Sequence, residues 1–333
     1  MSSSQIEERR IQEIRGSYIL YLPKEWCKDL NLGRGSRVLI KRIGSKLVIE
    51  PSETLSIRLY SDVDLDNIDE GSIYHILISL YISGAEQIKL VYRKPLSSEL
   101  RKKIYSCVKH MPGFSVFDEA RNFIVLREVR RGYELNTVVR RIMFNARSLF
   151  EQVIKIYSDA QAEEDLEELD SEIDAIRREA ERIFNVMLTN PETGRDTKLL
   201  QKSYIMVQIA RLIERISDHL TAIAKYIDDS KEDRPKIYSM LKEMYSYYTM
   251  IDEMIKLNLQ DEVSKKEKEP LKKVISKLVD LIESKKKIHD MVYEAGLRRD
   301  ITAYHVMRIY DYITDIAEYV LDMIAISQLI SEV

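Results

Sequence analysis

Eighteen residues in the second half of the chain occur twice. Ala210–Ile227, ARLIERISDHLTAIAKYI, returns 93 positions later as Ala303–Val320, AYHVMRIYDYITDIAEYV. Ala210/Ala303, Arg215/Arg308, Ile216/Ile309, Asp218/Asp311, Thr221/Thr314, Ile223/Ile316, Ala224/Ala317 and Tyr226/Tyr319 are identical, 8 of 18 positions. Unrelated segments of average composition would match at only ~6% of positions. A fixed-period echo of this kind means that one supersecondary unit has been duplicated. Whatever else the chain contains, its C-terminal half must therefore hold two copies of a helical unit.

Breaks at Asn190-Pro191, Gly194, Asp229–Pro235, Leu259–Pro270 and Gly296 delimit six predicted helices, over about 134–160, 163–189, 196–228, 236–258, 270–295 and 298–331. The third has apolar residues at Ile205, Ile209, Leu212, Ile216, Leu220, Ile223 and Ile227, steps of three and four that make a bundle seam. The sixth repeats it with Ile309, Ile313, Ile316, Val320 and Met323. Three helices per copy, twice, predict a pair of antiparallel three-helix bundles at 132–230 and 231–333.

Upstream the character changes. Eight of the ten glycines lie at or before Gly132, so the first 130 residues are turn-rich. Residues 54–131 alternate strand (Leu55–Leu59), helix (Asn67–Ser83), strand (Gln87–Tyr92), helix (Ser97/Ser98 to Met111) and a hairpin (Phe114–Phe117, Asn122–Val129), a small α/β sandwich. It has no phosphate loop, nucleophile elbow or metal-ligand spacing, and its role as spacer, dimerisation element or ligand sensor stays open. Residues 1–53 read as a small β-rich domain. Ile11, Ile14 and Tyr18–Leu22 suggest strands around an Arg15-Gly16-Ser17 turn, and Pro23 opens a helix over Lys24–Asn31. Arg37–Arg42 and Lys46–Glu50 form a hairpin across Gly44-Ser45.

Charge separates this head from the body. Residues 1–50 carry ten Lys/Arg against six acids, a net +4, so the remainder carries −7 of the total −3. A basic head on an acidic body points to nucleic acid at one end only; a solvated basic face is the simpler alternative. Apolar runs are short and broken by charge, MSSSQIEERR lacks the apolar stretch of a secretory signal, and two cysteines, Cys27 and Cys107, cannot make a disulfide framework. The expectation is a cytoplasmic protein that is not integral to a membrane.

The segment from Arg9 to Pro51, RRIQEIRGSYILYLPKEWCKDLNLGRGSRVLIKRIGSKLVIEP, resembles the AbrB/SpoVT family of swapped-hairpin DNA-binding domains through LPKEW at Leu22–Trp26, L-x-L-G-x-G-S at Leu30–Ser36 and the closing LVIEP. That resemblance implies a homodimer with interleaved hairpins that presents basic residues to DNA. Arg9, Arg10, Arg15, Arg34 and Arg37 are the candidates, because guanidinium groups suit bidentate phosphate and guanine contacts.

The helical half carries paired carboxylates, Asp170/Asp174 on the second helix and Glu214/Asp218 on the third. Spacing of i, i+4 puts each pair on one face, where like charges destabilise unless a cation compensates. All four face outward from the seam or flank it. Oxygen-only ligands suit Mg, Mn or Fe; with 55 acidic residues, though, about nine such pairs arise by chance on solvated faces. The surrounding string ERISDHLTAIAKYI, Glu214–Ile227, resembles the signature of the PhoU family of phosphate-uptake regulators, and Asp170-x-x-x-Asp174 matches the acidic pair of its preceding helix. The resemblance spans roughly residues 133–333. It implies a metal site on Asp170, Asp174, Glu214 and Asp218, dimerisation, and regulation of a phosphate ABC transporter. The second copy departs from the pattern. Lys285 stands at the place of Asp170, His289 at that of Asp174 and Met307 at that of Glu214, which leaves Asp311, with His289, as a weaker site for a softer ion.

Together these features suggest a regulator of phosphate uptake that binds DNA through its head and senses metal, phosphate status or the phosphate ABC transporter through its body. The alternative is a metal-binding scaffold that acts on the transporter or its ATPase by contact, with the head used only to dimerise. No organic cofactor and no enzymatic activity are expected, since no histidine or lysine accompanies the four carboxylates.

Overall fold

The computed structural model describes residues 7–43, 46–51, 60–129, 134–158, 166–190, 193, 196–226, 234–259, 271–294 and 301–329. They fall into two compact units, Met1–Ile57 and Arg58–Val333.

The first unit holds two separate antiparallel hairpins and one short helix. Strand β1 (Gln12–Ile14) pairs with β2 (Ser17–Ile19), and β3 (Val38–Ile43) with β4 (Lys46–Pro51). Helix α1 (Lys24–Asp29) lies between the hairpins in sequence. The β1–β2 connection is two residues, Arg15 at φ 52° and Gly16 at φ 79°. Two successive left-handed residues suit a tight hairpin turn, and only the glycine adopts that conformation without steric cost. The Gly44-Ser45 turn lies outside the described residues. Among the residues of this unit whose side chains are described, only Pro23 is buried. Ile40 is 65% exposed, Leu47 71% and Tyr18 75%. The described side chains of the two hairpins build no core of their own.

In the second unit, β5 (Tyr60–Asp64), α2 (Ile73–Ile82), β6 (Gln87–Val91), α3 (Ser98–Lys109), β7 (Phe114–Ala120) and β8 (Phe123–Glu128) build a four-stranded sheet ordered β5-β6-β8-β7. β5 and β6 are parallel and the other pairings antiparallel, with a bulge in β7 between Val116 and Asp118. Leu77, Ile88, Leu90, Ile104, Ile124 and Leu126 are completely buried in its core. The expected strand Leu55–Leu59 lies outside the described residues. The helix expected from Asn67 starts at Ile73 instead. Asp64 takes a hydrogen bond from the Asp66 amide at 3.0 Å and from the Asn67 side chain at 2.8 Å, which ties residues 65–67 into a 3-10 turn.

Seven helices follow: α4 (Leu135–Ser158), α5 (Leu166–Thr189), α6 (Thr197–Lys225), α7 (Arg234–Leu259), α8 (Leu271–Glu283), α9 (Lys285–Glu294) and α10 (Ile301–Ile324). None of the described helices is long and apolar enough to cross a membrane. The single helix expected over 270–295 is divided at Ser284, whose hydroxyl donates to the Leu281 carbonyl at 2.6 Å and also meets the Tyr310 hydroxyl. The two repeats share one continuous hydrophobic core, to which α4, α5, α6, α7, α8 and α10 all contribute. On α6, Ile209, Ile213, Ile216, Leu220 and Ile223 are completely buried, while Leu212 of the expected seam is only half-buried. α6 packs against α4 and α5 of its own repeat and against α10 of the other, so its apolar surface is broader than one stripe.

The sandwich is fastened to the bundle by α5. Arg182, 4% exposed, donates to the carbonyls of Tyr81 at 2.7 Å and Ala85 at 2.8 Å and pairs with Glu128 at 3.1 Å. The Asn185 amide donates to the Ile82 carbonyl at 2.8 Å. Tyr81 and Ile82 lie in the last turn of α2, where the helix dipole is negative, and Ala85 lies just beyond it.

Candidate functional site

The structure brings the four sequence-predicted carboxylates to the facing edges of α5 and α6. Asp170 and Asp174 are half-buried on α5; Glu214 is largely covered and Asp218 about half exposed on α6. The Ser217 hydroxyl donates to Asp170 across the helix pair. Arginines are interleaved with the acids. Arg177 lies 2.8 Å from Asp174, 3.0 Å from Glu181 and 3.5 Å from Glu214. Arg178 binds the other oxygen of Asp174, Arg211 holds Glu181 at 2.5 Å, and Arg215 stands 3.7 Å from Glu214 and 3.9 Å from Asp218.

Compensation by these cations is incomplete. The Glu214 carboxyl is raised above its usual range by burial and by the charges of Asp218 and Asp174, against the opposing pull of Arg177. Asp218 is likewise raised by burial and by Asp170 and Asp174, opposed by Arg215 and Arg177. Among the described residues no three histidine, cysteine or acidic side chains converge as a ready-made ion cage. The donor set nonetheless suits a hard cation. It is all oxygen, its members repel one another, and Arg215, the guanidinium beside Asp218, is 61% exposed and free to swing away.

The sign of the resulting pH dependence is fixed. A carboxyl whose folded pKa exceeds its unfolded value binds protons more tightly in the native state, so its contribution to stability improves as pH falls and worsens as pH rises through the folded value. Asp218→Asn should therefore raise Tm in metal-free buffer at pH 8 by about 1 °C or more and change it little at pH 4, as read by calorimetry.

In the second repeat the corresponding place is filled by the chain itself. Asp311 accepts from His289 Nε2 at 2.9 Å and pairs with Arg308 at 3.0 Å and Lys285 at 3.7 Å, while Lys285 also reaches Asp315 at 3.2 Å. His289 and Asp311 thus do meet, but with an ammonium and a guanidinium beside them, so a further cation there gains little.

All five arginines expected at a nucleic-acid interface are exposed on the first unit. Arg9 and Arg10 precede β1, Arg15 sits at the hairpin tip, and Arg34 and Arg37 lie in the loop between α1 and β3. Arg9 pairs with Glu7.

Two groups of polar residues were not singled out from the sequence. The arginines of α5 were in principle legible, since Arg177 and Arg178 follow Asp174 at i+3 and i+4 and Arg177 precedes Glu181 by four. The other is an imidazole pair, His219 on α6 and His305 on α10, whose Nδ1 atoms are 2.6 Å apart. Only the rarity of histidine, five in 333 residues, marks it in the sequence.

Two parts of the chain match known families. Residues 139–227 match the PhoU domain. Residues 11–55 match the family described as antidote-toxin recognition MazE, bacterial antitoxin. No curated protein and no solved structure matches.

Proposed function

We propose that this chain, a MazE/AbrB-type head joined to a PhoU-type helical body, is a cytoplasmic regulator of phosphate uptake that binds DNA as a homodimer. The observation that carries the reading is the state of the head. Tyr18, Ile40 and Leu47 are left in water, and the five candidate arginines, with Arg42, are exposed on the same small unit. A second copy is the partner that covers the apolar set by interleaving hairpins, and doubling the arginines makes a basic surface suited to the phosphate backbone. Arg15 is exposed at the tip of the β1–β2 hairpin, where the tight turn sets its φ of 52° and its guanidinium is open to a ligand.

The body supplies the sensing part. Asp170, Asp174, Glu214 and Asp218 would hold a hard divalent or trivalent ion such as Mg, Mn or Fe; the bound ion would supply positive charge where the carboxylates repel. The chain's own residues do the rest. Ser217 orients Asp170, Arg177 keeps Asp174 and Glu214 on adjoining faces, and Arg178 links Asp174 toward the sandwich by lying 5.9 Å over the Tyr74 ring. Occupancy of the acidic face can thereby be felt at the sandwich. No reacting nucleophile or general base is required in this scheme.

The test is a gel-shift salt series with DNA from upstream of the protein's own gene. Log affinity should fall linearly with log salt at about −0.9 per phosphate neutralised, giving a slope between roughly −4 and −9 for five to ten contacts. Arg37→Ala should flatten the slope by about 1–2, one phosphate from each protomer. Absence of binding at low salt would remove DNA from the reading. The exposed apolar set by itself supports a second reading, a scaffold that regulates the phosphate transporter or its ATPase by contact and uses the head only to dimerise. In that case the dimer forms and the salt series shows nothing.

A further inference from the structure

α6 and α10 are the corresponding helices of the two repeats, and they pack against each other. Where they meet, His219 and His305 present their Nδ1 atoms to one another at 2.6 Å, with ring centroids 4.9 Å apart. Aromatic rings fix both imidazoles. Tyr312 stacks on His219 at 5.7 Å, Tyr226 stacks on His305 at 5.9 Å, and Tyr304 meets both edge-on. Both histidines are only half-buried, so water and small ions reach them. A hydrogen bond between two ring nitrogens needs one of them to carry the proton and the other a lone pair. Two nitrogens held face to face across one shared proton are the arrangement that a metal ion can take over by replacing that proton.

We propose that His219 and His305 chelate a borderline divalent transition-metal ion, such as Cu²⁺, Zn²⁺ or Ni²⁺, that joins α6 of the first repeat to α10 of the second. Metal–nitrogen bonds of about 2.0–2.1 Å place two cis ligands about 3 Å apart, so the rings must part by a few tenths of an ångström and turn until both lone pairs point at the ion. Imidazole nitrogen favours these ions over Mg and Mn, with copper bound most tightly. The site therefore differs in ligand chemistry from the oxygen-only face of Asp170 and Asp218. The nearest cations do not forbid it. Arg308 is engaged by Asp311 at 3.0 Å and by the Tyr312 hydroxyl at 2.7 Å, and Arg215 stands beside Glu214 and Asp218. Binding displaces the shared proton: the N–H bond at one Nδ1 breaks, water carries that proton to Nε2 of the same ring so that both imidazoles stay neutral, and the two Nδ1 lone pairs bond the ion. Because the two residues are 86 positions apart, an ion there would clamp the repeats together.

The test uses the full-length protein with excess Mg²⁺ present, titrated with Cu²⁺ and followed by electron paramagnetic resonance. One equivalent per chain should bind with hyperfine structure from two nitrogens. His219→Gln and His305→Gln should each lose that signal, whereas Asp170→Asn with Asp218→Asn should keep it. Two-nitrogen copper that survives both glutamine variants, or that vanishes only with the aspartate changes, overturns the proposal. A readout that needs no variant guards against misfolding. With ¹⁵N-labelled histidine, two of the five imidazoles should shift together at one equivalent of Zn²⁺, and no paired shift likewise overturns it.

Discussion

Arg182→Met should lower the unfolding free energy of residues 58–333 by about 3 kcal/mol, near the lower end of what breaking a buried ion pair costs. The guanidinium is 5% exposed and performs three tasks at once. It donates to two carbonyls at the end of α2, it pairs with Glu128 of β8, and it lies 5.0 Å over each of the Tyr81 and Phe114 rings. Methionine keeps the apolar stem and much of the volume, so the loss measures the polar contacts and the cation–π terms rather than a cavity. Glu128 is 23% exposed and regains some water, which keeps the figure from reaching 5 kcal/mol. Arg182→Lys should recover less than half of the loss, because a single ammonium cannot fork between two carbonyls and a carboxylate. Urea denaturation read by far-ultraviolet circular dichroism gives the magnitude, and hydrogen exchange gives the location. Amides of α2 and β8 should lose protection before those of α6 and α10. A change below about 1 kcal/mol would mean that the sandwich is held by apolar contact alone.

This joint was invisible in the sequence for a physical reason. Arg178 and Arg182 sit four apart on a helix that looks ordinarily charged, and nothing local says that their face is covered by another layer. Pattern reasoning assigns charge to solvent because that is where most of it lies. The seam of α10 was legible for the opposite reason: Ile309, Ile313, Ile316 and Val320 are completely buried, as 3.6-residue spacing requires. α6 was half legible. Its period exposed one stripe, but Ile213 is buried as well in a helix that packs against α4, α5 and α10, and no single-helix pattern reports how many neighbours a helix has. The carboxylates could be picked out by their i, i+4 spacing and the string around them, and duplication supplies an internal control for the second copy. Asp170 against Lys285 and Glu214 against Met307 show where the copies diverge, and the structure places that lysine beside Asp311 and Asp315. The partnership of His219 with His305 depends on the packing of two distant helices and leaves no spacing to read.

Deleting residues 1–57 should convert a dimer to a monomer and lower DNA affinity by at least about a hundredfold at low salt, since the backbone-neutralising charge is lost. The remaining unit has its own continuous core, so its Tm should move by no more than about 2 °C. Sedimentation velocity reads the first effect and calorimetry the last. A point change separates assembly from charge. Ile40 is 65% exposed on the isolated head, where a surface substitution would cost within about ±0.5 kcal/mol. If Ile40 is instead covered by the second copy's hairpins, Ile40→Asp buries a carboxylate in an apolar interface and dissociates the dimer. The arginines are untouched by this change, yet DNA binding should fall with it, because a monomer offers half the phosphate contacts and the salt slope halves accordingly. Retention of the dimer in both variants would assign dimerisation to the helical body. Loss of the dimer with no DNA binding by the intact protein at any salt would select the scaffold reading. The combination of a dissociated Ile40→Asp protein, a halved slope and an unchanged Tm for residues 58–333 is the one that follows from a head whose arginines and described apolar side chains are both left in water.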